Sequence, residues 1–215
     1  MSRLIVRSYT ISLDGYGAGL DQSLERPLGR VGESLHGWLR STRFFMRMIG
    51  SDGGSTGQDN QVADQSMANI GAFIMGRHMF TPSRGPWPQD DWRGWWGPNP
   101  PYHTPTFVLT HHARADLPME GGTVFHFVTD GIRSALDRAR AVAGGKDIRL
   151  LGGASTIRQY LEAGLVDEMH IAQSPVLLGA GEPLFAGSDL ARLGYRVESC
   201  TPGEQAVFYV IGRAR

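Results

Sequence analysis

Three short segments carry groups of the kind that could hold phosphate: Gly76-Arg77-His78-Met79, Thr110-His111-His112 and Gly152-Gly153-Ala154-Ser155-Thr156. Each follows an apolar run that reads as a strand, and the first and third lead into helical patterns. Glycine lets a backbone approach a phosphate closely, and the free N–H groups of a helix start attract anions. Ser155 and Thr156 add hydroxyls, and the Arg77 fork suits a bidentate contact to phosphate. Each segment also has a plainer reading. Gly152 to Thr156 can be a tight turn with Ser155 as N-cap, Arg77 a surface arginine, and His111 and His112 solvated residues. Adjacent histidines on a strand point in opposite directions and make a poor metal site, so no metal is expected.

Ligands of an open α/β sheet collect beyond the carboxyl ends of its parallel strands. The three segments therefore converge at one sheet edge, with two helix starts, one arginine and several hydroxyls. That set suits a diphosphate carrying an additional phosphate. The order differs from a G-x-G-x-x-G fingerprint, which opens the first βα unit with an acidic residue about 20 positions later. Gly15-Tyr16-Gly17-Ala18-Gly19 follows the first strand without that pattern and reads as a flexible loop.

Two carboxylates are candidates for proton donation or substrate anchoring, Asp14 and Glu33. Asp14 is equally a turn residue in an Asp-Gly pair, and Glu33 a solvated carboxylate at a helix start. Trp92, Trp95, Trp96, Tyr102 and His103 could stack on a flat heterocycle. The same rings could instead pack beneath their loop or at a dimer interface.

These groups need elements to position them. Arg3 to Ser12 alternates as a first strand, and Gly32 to Met48 reads as a helix with Leu35, Leu39 and Phe45 inward. Ser51 to Asn60 reads as a mobile loop and Val62 to Asn69 as a helix before a strand at Gly71–Met75. Pro82 to Pro105, rich in proline, glycine and tryptophan, reads as a lid, binding loop or interface. Strands follow at Thr106–Thr110, Thr123–Val128 and Asp147–Leu151, with helices at Gly131–Val142 and Ser155–Ala163. Glu168–Leu178 and Gln205–Gly212 close the chain as strands. Strands alternating with helices predict an α/β domain with a central, mostly parallel sheet and an antiparallel C-terminal edge. No linker divides it, so residues 1–215 are expected to form a single domain.

Composition excludes several classes. Hydrophobic residues make up 41% and charged residues 20%, with a formal net charge of zero. There is no basic excess for a nucleic-acid backbone and no polybasic patch for a membrane surface. Cys200, the sole cysteine, cannot form an internal disulfide, which suits a reducing cytoplasm. No run approaches the roughly 18 apolar residues of a membrane span. The expectation is a cytoplasmic protein without nucleic-acid or membrane partners.

With these motifs in order along the chain, the sequence resembles the bacterial RibD C-terminal/dihydrofolate reductase-like family. The matching stretches are Ser12-Leu13-Asp14-Gly15-Tyr16, Ile74 to Phe80, Val108-Leu109-Thr110, Gly152 to Thr156, Leu165 to Glu168 and Ser174 to Gly181. The resemblance implies a three-layer dihydrofolate reductase-like fold, with residues 22–69 and 82–105 as insertions. It also implies NADPH, bound by Gly76, Arg77, His78 and Met79, by Thr110 and His111, and by Gly152, Gly153, Ala154, Ser155 and Thr156. Ser12 and Asp14 would lie near the substrate, with Trp92, Trp96, Tyr102 and His103 contributing from the aromatic loop. Leu151 stands where riboflavin-pathway members carry a glutamate, which argues against a ribosylaminopyrimidine substrate. The implied activity is reduction of a small heteroaromatic or conjugated substrate. The alternatives are a dihydrofolate or pterin reductase and a non-catalytic NADP-binding sensor. A homodimer is expected from the family and from the apolar C-terminal strands.

Overall fold

The computed structural model describes residues 2–88 and 91–213. Its strands are β1 (Leu4–Ile11), β2 (Ile70–Gly76), β3 (Pro105–Leu109), β4 (Leu117–Pro118), β5 (Val124–Val128), β6 (Asp147–Gly152), β7 (Glu168–Gln173), β8 (Tyr195–Pro202) and β9 (Val207–Arg213). They form one 9-stranded sheet in the order β4-β5-β3-β2-β6-β1-β7-β9-β8. The run from β5 to β7 pairs in parallel, while β4, β9 and β8 are antiparallel to their neighbours. Every residue of β2 is buried, as a parallel strand covered on both faces requires.

Helices α5 (Ile132–Val142) and α6 (Ala154–Glu162) cover one face. Their inward residues, Leu136 and Ala139 on α5 and Ile157 and Leu161 on α6, pack with Val6, Ile74 and Leu150. The opposite face is covered in two parts. The short α4 (Arg77–Phe80) and the aromatic loop lie over Ile5, Phe73, Met75 and Val108. Helices α1 (Gly37–Arg40), α2 (Arg43–Met48) and α3 (Gln58–Gln65) bring Trp38 and Ala63 onto Ala172 and Phe208. This is the expected arrangement of a mostly parallel sheet with an antiparallel C-terminal edge, set between helical layers. Among the described residues, no helix is long and apolar enough to cross a membrane.

Several boundaries differ from the sequence reading. The helix expected over Gly32–Met48 is a 3-10 turn at Gly32–His36 followed by α1 and α2, broken at Ser41-Thr42. Thr42 restarts it as an N-cap, its hydroxyl accepting the Phe45 N–H at 3.2 Å. The helix expected from Val62 begins at Gln58, inside the expected loop. Glu168–Leu178 ends as a strand at Gln173, before Ser174-Pro175. Both β4 and β8 lie outside the predicted strands.

One irregularity decides a side chain's direction. The β1–β7 register shifts between Val6 and Tyr9, and Ser8 takes φ 54°. A one-residue slip exchanges the faces of a strand. Tyr9 and Ile11 consequently join Val6 on the α5/α6 face. Thr10 turns to the other face, where its hydroxyl accepts the Trp38 indole N–H at 3.1 Å.

Candidate functional site

The carboxyl ends of β2, β3 and β6 lie side by side, with Gly76 paired to Leu109 and Met75 to Gly152. Their glycines serve different purposes. A methyl group at Gly76 would lie 2.2 Å from the Thr156 hydroxyl, so the β2 end packs directly on the first turn of α6. One at Gly152, where φ is +131°, would lie 2.7 Å from the Tyr9 ring. Both glycines are thus required by the protein's own packing. At Gly153 an added methyl would meet nothing within 4 Å, leaving the backbone approachable.

Gly153 is also the N-cap of α6, and no side chain caps the helix there. Ser155 is exposed and Thr156 buried, so the expected Ser155 cap is replaced by open backbone donors. The Tyr9 hydroxyl lies close to the Ala154 N–H. Burial raises the Tyr9 phenol above its ordinary value and keeps it protonated. Sequence reasoning missed Tyr9, because the bulge at Ser8 reverses the face on which simple alternation places it.

Arg77 has an unusual set of neighbours. Its guanidinium stacks over Trp87 at 3.9 Å from the ring centroid, and Nη1 donates to the Gly85 carbonyl. Nε and Nη2 are buried without a hydrogen-bond partner. Burial, then the nearby Arg114, lowers the Arg77 pKa. The Trp87 indole N–H reaches across to the His112 carbonyl at 2.7 Å, joining the β2 end to the segment after β3. There Thr110 is occupied with its own turn, accepting the His112 N–H at 3.2 Å, while His111 is exposed. His78 is exposed as well, and the Met79 sulfur approaches Gly152.

The loop after β1 is firmly tied rather than free. Leu13 donates to Val176, Gly17 to Glu182 and Leu184 to Gly15, at 2.8, 2.8 and 2.9 Å. Asp14 completes the seam by accepting from the Leu178 and Gly179 amides at 3.1 and 2.7 Å. The buried Ser12 hydroxyl donates to Asp14 and accepts the Tyr16 N–H. These donors, Ser12 first, lower the Asp14 pKa below the usual carboxylate range. Asp14 is an ionised clamp at neutral pH, with no proton to donate. Glu33 sits on the 3-10 turn, paired with Arg40, and no described contact joins it to the strand ends.

The aromatic loop mainly packs on itself and on the sheet. Trp92 donates to the Phe80 carbonyl at 2.7 Å and meets Trp95 edge-on. Tyr102 packs against Phe73 and Phe125, where burial pushes its phenol up to about 12. His103 is fastened to the turn at 121–123 through Gly121 and Thr123. Of the four substrate candidates from this loop, Trp96, at 44%, and His103 are exposed, whereas Trp92 and Tyr102 are partly buried. The cleft among Met75, Met79, Trp95, Trp96 and Tyr102 encloses about 10 Å³. A larger cavity of about 430 Å³ lies under α3, lined by Arg7, Ser8, Gln65, His170 and Tyr209 among others.

Comparison with known proteins agrees with this architecture. A 59-residue stretch is 44% identical to the uncharacterized protein YyaP of Bacillus subtilis (strain 168), covering 27% of this chain and 31% of that protein. That match spans less than a third of the relative's length. A putative riboflavin biosynthesis protein from Shewanella sp. PV-4 superposes over 100% of both chains, with TM-score 0.59 and 22% identity. A diaminohydroxyphosphoribosylaminopyrimidine deaminase/5-amino-6-(5-phosphoribosylamino)uracil reductase from Thermotoga maritima covers 99% of this chain and 57% of its own, with TM-score 0.53 and 12% identity. At these identities the structural likeness is one of fold. Residues 3–208 match the RibD C-terminal domain as a sequence family, and the chain belongs to that family.

Proposed function

We propose that this protein is an NADPH-dependent reductase acting on a small heteroaromatic or conjugated substrate. Family membership supports an oxidoreductase in general. The observation that carries the cofactor is Arg77, whose Nε and Nη2 donors are buried without protein partners; it directly follows Gly76, the residue of β2 that packs on the first turn of α6. Buried donors normally find partners, and a phosphate oxygen is the partner that a guanidinium edge fits best. The residues fit the group. Gly153 and Ser155 would hold the diphosphate through backbone N–H groups, with the Ala154 N–H already turned to Tyr9, and Arg77 would hold the additional phosphate. When bound, the nicotinamide supplies the hydride, and the protein orients it and the acceptor.

A second reading is non-catalytic NADP binding. It is favoured by the state of the two acid candidates: Asp14 is committed to Leu178 and Gly179, and Glu33 to Arg40. Catalysis would therefore draw its proton from water or from a side chain other than these two carboxylates.

One experiment separates the readings. NADPH and NADH are titrated by calorimetry, and nicotinamide absorbance is then followed with a panel of pterins and flavin precursors. Saturable binding that favours NADPH, with turnover of one panel compound, is expected. Binding without turnover across the panel would favour the sensor, and absence of binding would sink the cofactor assignment.

A further inference from the structure

Trp87 connects two strand ends that the proposed cofactor site uses. Its indole N–H is held by the His112 carbonyl beyond β3, and its ring carries the Arg77 guanidinium at 3.9 Å beyond β2. Edge-on contacts from Phe80 at 6.0 Å and Phe127 at 5.1 Å fix the plane of the indole. The Gly85 carbonyl, two residues away, takes Nη1 of the same arginine. The fork is thus stacked on one face and tied at one end. Its Nε and Nη2 donors remain without protein partners.

Arginine is flexible, and much of the cost of a bidentate contact is the ordering of its side chain. A guanidinium already stacked on an indole has met that cost before a ligand arrives. We propose that Trp87 is the positioning residue that presents Arg77 to the additional phosphate of NADPH, and so sets the preference for NADPH over NADH. The inference rests on the reading that this site binds NADPH. It differs from a packing role, because loss of packing alone would weaken both nucleotides together.

The test measures NADPH and NADH affinities calorimetrically for the wild type, W87L, W87F, R77A and the R77A/W87L double variant, with thermal midpoints alongside. W87L is expected to lower NADPH affinity roughly tenfold while sparing NADH. W87F keeps an aromatic face and the packing, and is expected to recover part of the NADPH:NADH ratio. The double variant should bind NADPH no more weakly than R77A, because Trp87 acts through Arg77. The inference is overturned if W87L, or W87F where W87L does not fold, keeps the wild-type ratio or loses both nucleotides alike with no recovery in W87F. Wild-type protein that binds neither nucleotide overturns the cofactor reading and this inference with it.

Discussion

Asp59 and Glu204 cap each other's backbone across 145 residues of chain. Glu204 accepts the Gln58 and Asp59 amides at 2.8 and 2.9 Å, at the start of α3. Asp59 accepts the Glu204 and Gln205 amides at 3.1 and 3.0 Å, in the turn between β8 and β9. Two adjacent glycines make room for the exchange. An added methyl would lie 1.8 Å from the Glu204 carboxylate at Gly57 and 2.0 Å from the Asp59 carboxylate at Gly203. Burial raises the Asp59 pKa, whereas the two amide donors lower that of Glu204. The clamp fixes the polar helix α3 against the edge of the sheet.

Replacing Asp59 with alanine leaves both turn amides without their acceptor. The expected loss is roughly 1–3 kcal/mol of unfolding free energy. Faster amide exchange should appear in α3 as well as in the β8–β9 turn. Denaturant unfolding and hydrogen exchange of D59A read both effects. A change confined to the turn would show that α3 is held by other means.

This clamp shows where sequence reading reaches its limit. The apolar run of β2 and the helical spacing of Leu136, Ala139, Ile157 and Leu161 were legible, because burial writes a period into the sequence. Helix α3, Gln-Asp-Asn-Gln-Val-Ala-Asp-Gln, has few apolar residues to mark its start and is anchored by a residue near the other end of the chain. Strand β8 is exposed from Arg196 to Cys200 and has no inward apolar face to betray it. The glycine and arginine turns of the site were readable as motifs. Their packing was not, since Tyr9 reaches Gly152 only through the bulge at Ser8 and Trp87 reaches Arg77 by folding back over α4.

His36 should make the fold sensitive to mild acid. Burial first, then Arg40, lowers its pKa from 6.5 to about 4, with Glu33 opposing. The unfolded chain therefore binds the proton more readily than the folded one, and stability falls as pH drops from about 6.5 towards 4. The residue keeps some solvent contact, so roughly 2 kcal/mol is expected over that window rather than the full shift. Urea midpoints of the wild type and H36Q across this range check it. The variant should show a visibly flatter profile.

Arg77→Ala should separate the two nucleotides. Loss of a charge-assisted contact is expected to cost NADPH roughly 1.5–3 kcal/mol, about ten- to a hundredfold in affinity, with little change for NADH. Lysine at this position keeps the charge but loses the fork and the stacked plane, and should recover only part of the difference. Equal weakening of both nucleotides by R77A would remove the phosphate role.

Asp14 is expected to act through loop order rather than proton transfer. D14A removes the acceptor of the Leu178 and Gly179 amides, so both should exchange faster with solvent. D14N retains one oxygen and should fall between the wild type and D14A. If turnover can be measured, its pH profile should keep the same limbs in D14N. A lost limb would restore Asp14 as a catalytic acid.

Gly76 offers a direct choice between packing and ligand approach. Its backbone lies in the extended region, φ −75° and ψ 157°, which alanine adopts freely. The only close obstacle to a methyl group is the Thr156 side chain, with the hydroxyl at 2.2 Å and Cβ at 3.4 Å. G76A alone should therefore lose roughly 1–3 kcal/mol through overpacking. T156A removes the hydroxyl, and G76A/T156A should recover most of that stability. The double variant is expected to bind NADPH within about threefold of the T156A control, a free-energy difference of about 0.7 kcal/mol or less. A double variant that folds as well as T156A yet binds the nucleotide far more weakly would mean that the ligand itself requires glycine there.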